Sequence, residues 1–247
     1  MMKIDNRKNF LMVLDTETTG LDKIPALAFP IIYDIGWILG DKNGNILIER
    51  EFIVQEVFYN PIMQNAYYGN KMPQYTARVN KADILVKPFQ EIIDLMNKDF
   101  NLVKKNTLLA YNLNFDLRAL RSTAIYCHML DRGEKDWTKL FTVTPQIQDI
   151  WSLAVETILR KKWDFIEFVE NNGLFTEGGN PKTSAEVVYK FLTGDTEYEE
   201  CHTALEDCRI EYDIAITALK TKREYTKGIL HNPWRVISNL YKEYREE

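Results

Sequence analysis

Three cysteines and three histidines among 247 residues leave little room for thiol or soft-metal chemistry. Cys127, Cys201 and Cys208 make no even framework and no Cys-x-x-Cys pair. A disulfide scaffold is therefore excluded, and a reducing, cytoplasmic setting is expected. The dipeptides Cys127-His128 and Cys201-His202 match no zinc-ligand spacing and read as plain thiols. No apolar run approaches the roughly 18 residues that cross a bilayer, so no membrane role is expected. Met1 to Lys8 is polar and has none of the features of an export signal. Positive charge is also short: the formal net charge is -5, which argues against generalised electrostatic binding of nucleic acid. It does not argue against an enzyme that grips a short strand end, because acidic ligands in a site themselves lower the charge. No internal repeat or low-complexity segment is present.

What remains is an ordinary soluble composition, 45% hydrophobic and 27% charged. The length lies near the upper limit of a single core, which predicts one domain over residues 1–222 and a C-terminal helical extension over 223–247. Phe10 to Asp15, Ile31 to Leu39 and Ile46 to Val54 read as three strands of an antiparallel meander. The turn signal Asp41-Lys42-Asn43-Gly44-Asn45 joins the last two. Leu108 to Tyr111 and Ile147 to Ile150 read as further short strands. Helical periodicity runs through 88–100, 115–130, 152–162, 164–171, 184–192 and 204–221. Together they predict an α/β fold with a mixed, roughly five-stranded sheet, its first three strands antiparallel, flanked by helices. Asn232-Pro233 opens a last helix whose apolar stripe, Trp234, Ile237, Leu240, Tyr241 and Tyr244, is expected to dock on the core.

The chemistry resides in four acids and a histidine. Asp15 and Glu17 share the first strand, and i, i+2 spacing aims both carboxylates to one face. Asp116 falls in the first turn of the helix that follows the strand ending at Tyr111. His202 and Asp207 would lie about 140° apart on one continuous helix, at about 100° per residue. The capping box Thr203-Ala204-Leu205-Glu206 instead starts the helix at Thr203, leaving His202 in a loop that leans back over the site. Gathered acids repel one another unless cations neutralise them, and hard oxygen ligands suit Mg²⁺ or Mn²⁺. Singly, these signals are weak: Asp195-Thr196-Glu197 repeats the first spacing in a polar loop. Residues 54–82 read as a polar, irregular insert holding Tyr59, Tyr67, Tyr68 and Tyr75 with Lys71, Arg78 and Lys81. Such a mixture either stacks bases and tracks phosphates or packs on the domain as a surface excursion.

Asp15-Thr16-Glu17-Thr18-Thr19-Gly20-Leu21, Asn112-Leu113-Asn114-Phe115-Asp116 and His202-Thr203-Ala204-Leu205-Glu206-Asp207 occur in the order of the DEDDh exonucleases. The chain resembles that DnaQ-like family over about Phe10 to Leu219. Tyr111 stands where the second motif usually has histidine, and Thr203 where a sister group has tyrosine. The resemblance implies a ribonuclease-H-like fold and 3′-to-5′ exonuclease activity that releases nucleoside 5′-monophosphates from single-stranded ends. It implies two divalent cations, Mg²⁺ or Mn²⁺: Asp15 bridging both, Glu17 and Asp207 completing one site, Asp116 holding the other through water. His202 would be the general base. Thr18 backbone and the Leu21 side chain would hold the terminal nucleotide, and Asn112 would fix the strand-to-helix turn. Tyr67 and Tyr68, outside the resemblance, are candidate substrate contacts from the composition of the insert alone. Asp149, after the next strand, is expected to be structural. The expected partner is a single-stranded 3′ end, DNA before RNA, with a replication or repair protein as a further partner. The alternatives are an exoribonuclease trimming RNA ends, or a silent end-binding or polymerase-associated module. The last fits poorly with an intact ligand set.

Overall fold

The computed structural model describes residues 9–20, 30–61, 63, 69–161 and 163–247. Leu21, Tyr67 and Tyr68, expected to touch substrate, lie outside the described residues.

Six strands form one mixed sheet. Strand β1 (Phe10–Thr18) pairs antiparallel with β2 (Ile32–Asp41), which pairs antiparallel with β3 (Ile46–Val54). Parallel pairing adds β4 (Leu85–Lys87) to β3, β5 (Asn106–Ala110) to β1 and β6 (Gln146–Asp149) to β5. The order is β4-β3-β2-β1-β5-β6. The strand beyond the expected five is β4; three residues are too few to show a period in sequence.

The described residues between 55 and 87 are more regular than their composition predicts. A short helix α1 (Gln55–Phe58) and a nine-residue helix α2 (Met72–Asn80) replace much of the expected irregular loop. Pro73 in the first turn of α2 is the overlooked start signal. Helices α3 (Phe89–Phe100) and α4 (Leu113–Tyr126) follow. Then come α5 (Ile150–Ala154), continued by a wider turn over Val155–Leu159, α6 (Asp164–Asn172), α7 (Ala185–Thr193), α8 (Ala204–Lys220) and α9 (Trp234–Glu246). None of the helices among the described residues is long and apolar enough to cross a membrane.

The period of two along β1 sorts side chains between two cores. Phe10, Met12 and Leu14 join Ile92, Met96, Leu117 and Leu120 of α3 and α4 on one side of the sheet. Leu11 and Val13 join Leu153, Val188, Cys208 and Ala215 of α5, α7 and α8 on the other. The same alternation aims Asp15 and Glu17 at α8. Helix α9 joins the second core: Ile237 is fully buried there, Tyr241 packs on Phe175 and Tyr244 on Trp163.

Two glycines in β2 set how closely α8 lies on the sheet. A Cβ on Gly36 would sit 2.7 Å from the carbonyl carbon of Ala204 and the amide nitrogen of Leu205. Gly40 leaves space for the Tyr212 ring, whose hydroxyl donates to the Asp41 carbonyl at 2.7 Å. Gly36 is the register partner of Asp15, so the contact lies directly beneath the acids. Gly36→Ala is expected to push the start of α8 off the sheet and to destabilise by about 1–3 kcal/mol. Chemical denaturation of the two proteins measures this; an unchanged midpoint would refute the close approach.

Candidate active site

Asp15 and Glu17 end β1, Asn112 follows β5 and Asp149 ends β6, so all face the carboxyl edge of the parallel strands. Chain connections leave β1 for β2 on one side and return to β5 on the other, the kind of switch point where open sheets leave a crevice. A cleft of about 820 Å³ opens there, lined by Asp15, Glu17, His202, Asp207 and Glu211 among others.

The expected acids are brought together. Single oxygens of Glu17 and Asp207 and a ring nitrogen of His202 lie within 4.8 Å of one another. Asp116, only 2% exposed, accepts the Thr16 hydroxyl at 2.8 Å and is close enough to Asp15 to perturb it. Thr18 is half-buried at the end of β1. Asn112 caps α4 in the left-handed conformation, φ 62°, which asparagine tolerates better than most residues. Asp149 accepts the amides of Leu113 at 2.8 Å and Ser152 at 2.7 Å, tying the starts of α4 and α5 to the end of the sheet.

His202 precedes α8 as expected, at φ 50°. The capping box, however, does not form. Thr203 makes no side-chain cap, Glu206 pairs with Arg209, and the Ala204 amide donates to buried Asp34 at 3.1 Å. Asp34 is the register partner of Glu17 and also accepts the Tyr75 hydroxyl at 2.7 Å. Tyr75 therefore packs inside the domain rather than facing substrate. In the same insert, Arg78 pairs with Glu51, while Lys71 donates to the Cys201 carbonyl at 2.5 Å and stands beside the acids and His202.

Asp34, Glu200, Glu211 and Gly36 belong to the site and escaped the sequence reading, and Lys71, read there only as part of the basic insert, joins them. Glu211 lies one helical turn beyond Asp207, a spacing that places it on the same face. Fully enclosed, it accepts the Tyr111 amide at 3.0 Å and faces Asp15 and Asp116. Glu200 stands 3.8 Å from His202 Nδ1, beyond hydrogen-bond length. Asp34 is the one acid in the apolar run Ile31 to Leu39, and that oddity was a readable signal.

Burial and mutual repulsion govern the titration. Glu17 is pushed up to about 9, first by burial and then by Asp207 and Asp34, with Lys71 opposing. Asp116 rises to about 8 and Asp34 to about 8, both chiefly through burial. Asp207 rises to about 7 through burial and then Glu200. Asp15 rises well above the usual carboxylate range: the enclosing protein contributes most, followed by Glu211, Asp116, Asp207 and Glu17. His202 is lowered by burial and then by Lys71, which keeps its imidazole neutral. The buried Asp207 Oδ1 has no hydrogen-bond partner. An oxygen-rich cluster with one nitrogen, an orphaned carboxylate oxygen and crowded like charges fits hard divalent cations.

The fold is shared with solved exonucleases, one of them described as a DEDDh family member. Among solved structures, Escherichia coli exonuclease I in complex with a dT13 oligonucleotide superposes with a TM-score of 0.59. It is 18% identical over 87% of this chain and 42% of that one. Exonuclease I from Methylocaldum szegediense gives 0.54 at 20% identity, over 87% and 41%. The nuclease domain of 3′hExo, a DEDDh family member bound to rAMP, gives 0.54 at 15%, over 92% of this chain and 100% of that one. The chain thus spans less than half of the exonuclease I chains, and at such identities what is shared is the fold. No family model and no curated protein matches the sequence.

Each raised acid holds its proton more tightly in the folded than in the unfolded state. In the metal-free protein its stabilising contribution is complete below about pH 4. It is lost as pH rises through the folded values, about 7 for Asp207 to about 9 for Glu17. The melting temperature in EDTA is expected to fall between about pH 5 and about pH 9. Mn²⁺ should raise it, more at the alkaline end. Glu17→Gln should melt higher than wild type in EDTA and gain less from Mn²⁺. Scanning calorimetry decides; an EDTA profile that climbs with pH, or no response to Mn²⁺, would refute the cation-demanding cluster.

Proposed function

We propose that this protein is a metal-dependent 3′-to-5′ exonuclease that releases nucleoside 5′-monophosphates from single-stranded DNA ends. The observation that carries the reading is the convergence of Asp15, Glu17, Asp116 and Asp207 beside His202, in the motif order and fold of the DEDDh nucleases. Asp15, Glu17 and Asp207 would hold one Mg²⁺ or Mn²⁺, and Asp15 with Asp116 a second. Bound there, such ions acidify water and stabilise charge on the leaving oxygen.

The chain's own groups supply the rest. His202 is neutral near physiological pH, because burial and Lys71 depress its protonation. Its Nδ1 faces Glu200, which leaves Nε2 to take the proton from the attacking water. The left-handed turn at 202, held through the Ala204 amide by Asp34, fixes the direction of the ring. Thr18 at the end of β1, with Leu21 beyond it, is assigned to the terminal nucleotide. Asn112 holds the turn that presents Asp116. None of these groups reads a base edge, so little sequence preference is expected.

Structural neighbours occur in complex with DNA oligonucleotides and, for a 3′-exonuclease, with a histone mRNA stem-loop. The specific observation favouring RNA is that the domain this chain spans end to end is bound to rAMP. DNA remains the first reading, with a replication or repair complex as its setting.

A single-stranded oligonucleotide labelled at the 5′ end, incubated with Mg²⁺, Mn²⁺ or EDTA, tests the assignment. Products should shorten stepwise from the 3′ end and vanish in EDTA and with Asp15→Asn. His202→Ala should lose about 10²- to 10⁴-fold in kcat while keeping the Mn²⁺-dependent rise in melting temperature. Matched DNA and RNA strands set the sugar preference. Undiminished cleavage by Asp15→Asn, or shortening from the 5′ end, would sink the proposal.

A further inference from the structure

The acids occupy only the floor of the cleft. Its wall is aromatic and comes from four separate elements: Tyr111 after β5, Phe115 in α4, Trp151 in α5 and Trp234 at the start of α9. All four are half-buried. Resting on the exonuclease reading, we infer that this wall is a base-stacking track for the nucleotides on the 5′ side of the scissile phosphate, with Trp234 of the C-terminal extension as its outer platform.

Three features support a strand as the occupant. The wall is tied down: Trp151 lies nearly parallel to Tyr111 (22°, centroids 6.2 Å apart), and both are bonded to one loop. Trp151 Nε1 donates to the Thr183 hydroxyl at 2.9 Å and the Tyr111 hydroxyl donates to the Thr183 carbonyl at 2.5 Å. The wall is continuous with the carboxylates, so a strand whose last phosphodiester reaches Asp15 must lay its preceding bases along the same cleft. Cations flank it: Lys182 lines the cleft and the Arg235 guanidinium lies 5.5 Å from the Trp234 ring centroid. Rings interleaved with positive charge bind single strands by stacking and phosphate contact, without reading sequence.

Trp234 is not among the α9 side chains packed on the second core. The other α9 aromatics serve as docking groups, Tyr241 on Phe175 and Tyr244 on Trp163. Among the described residues Trp234 packs against no other ring. The extension thus contributes to strand grip as well as to the core.

The test compares a 5′-labelled oligothymidylate with the p-nitrophenyl ester of thymidine 5′-monophosphate, which has no nucleotide beyond the cleaved bond. Trp234→Ala should raise KM for the oligonucleotide and cut the oligonucleotide-to-ester ratio of kcat/KM about tenfold. Trp234→Leu keeps apolar bulk without a stacking face and should show the same loss, even if the alanine variant misfolds; Trp234→Phe should recover most of it. Anisotropy of the labelled strand on an Asp15→Asn background should show the matching loss of affinity. Lys182→Ala should reduce the salt dependence of binding by about one charge. An unchanged ratio and unchanged affinity for Trp234→Leu would overturn the track. A wild type that cleaves neither substrate overturns the exonuclease reading instead, and the anisotropy comparison still decides whether Trp234 grips a strand.

Discussion

Like charges held where water is scarce are the constraint around which this molecule is arranged. Asp15, Glu17, Asp116, Asp207 and Glu211 are drawn to the edge of one sheet by three elements, β1, α4 and α8. Lys71, from the insert, moderates Glu17 and Asp207. The apolar cores on both faces of the sheet supply the stability that such an arrangement consumes, as functional sites commonly require.

Local backbone detail turns that cluster into a directed site. Gly36 lets α8 rest on β2, so that Asp207 reaches Glu17 across the gap between helix and sheet. Asp34 receives the first amide of α8 and the hydroxyl of Tyr75, joining the insert, the sheet and the histidine loop through one carboxyl group. Asp149 performs the equivalent task for α4 and α5. Asp34 and Asp149 each orient a neighbour, and each is buried at 1% exposure or less.

Much of this was legible in the chain and part was not, for physical reasons. The period of two in β1 predicted that Asp15 and Glu17 share a face, and the phase of α8 predicted that His202 must precede it. The helix begins where expected, but Asp34 rather than the capping box receives its first amide. A contact across a sheet has no local trace, so Asp34 and Gly36 became visible only with the β1–β2 register. Glu211 could have been found by stepping one turn from Asp207. The strand β4 is too short to have a pattern, and α2 was obscured by polar composition despite Pro73.

The positive φ of 50° at residue 202 has a consequence for what chemistry this loop can host. Left-handed backbone is open to glycine and, among side-chain-bearing residues, is most enriched in asparagine, aspartate and histidine. Of these only histidine has an unperturbed pKa near neutrality. The bend that lifts the chain over the cleft therefore suits an imidazole better than most other proton-exchanging side chains.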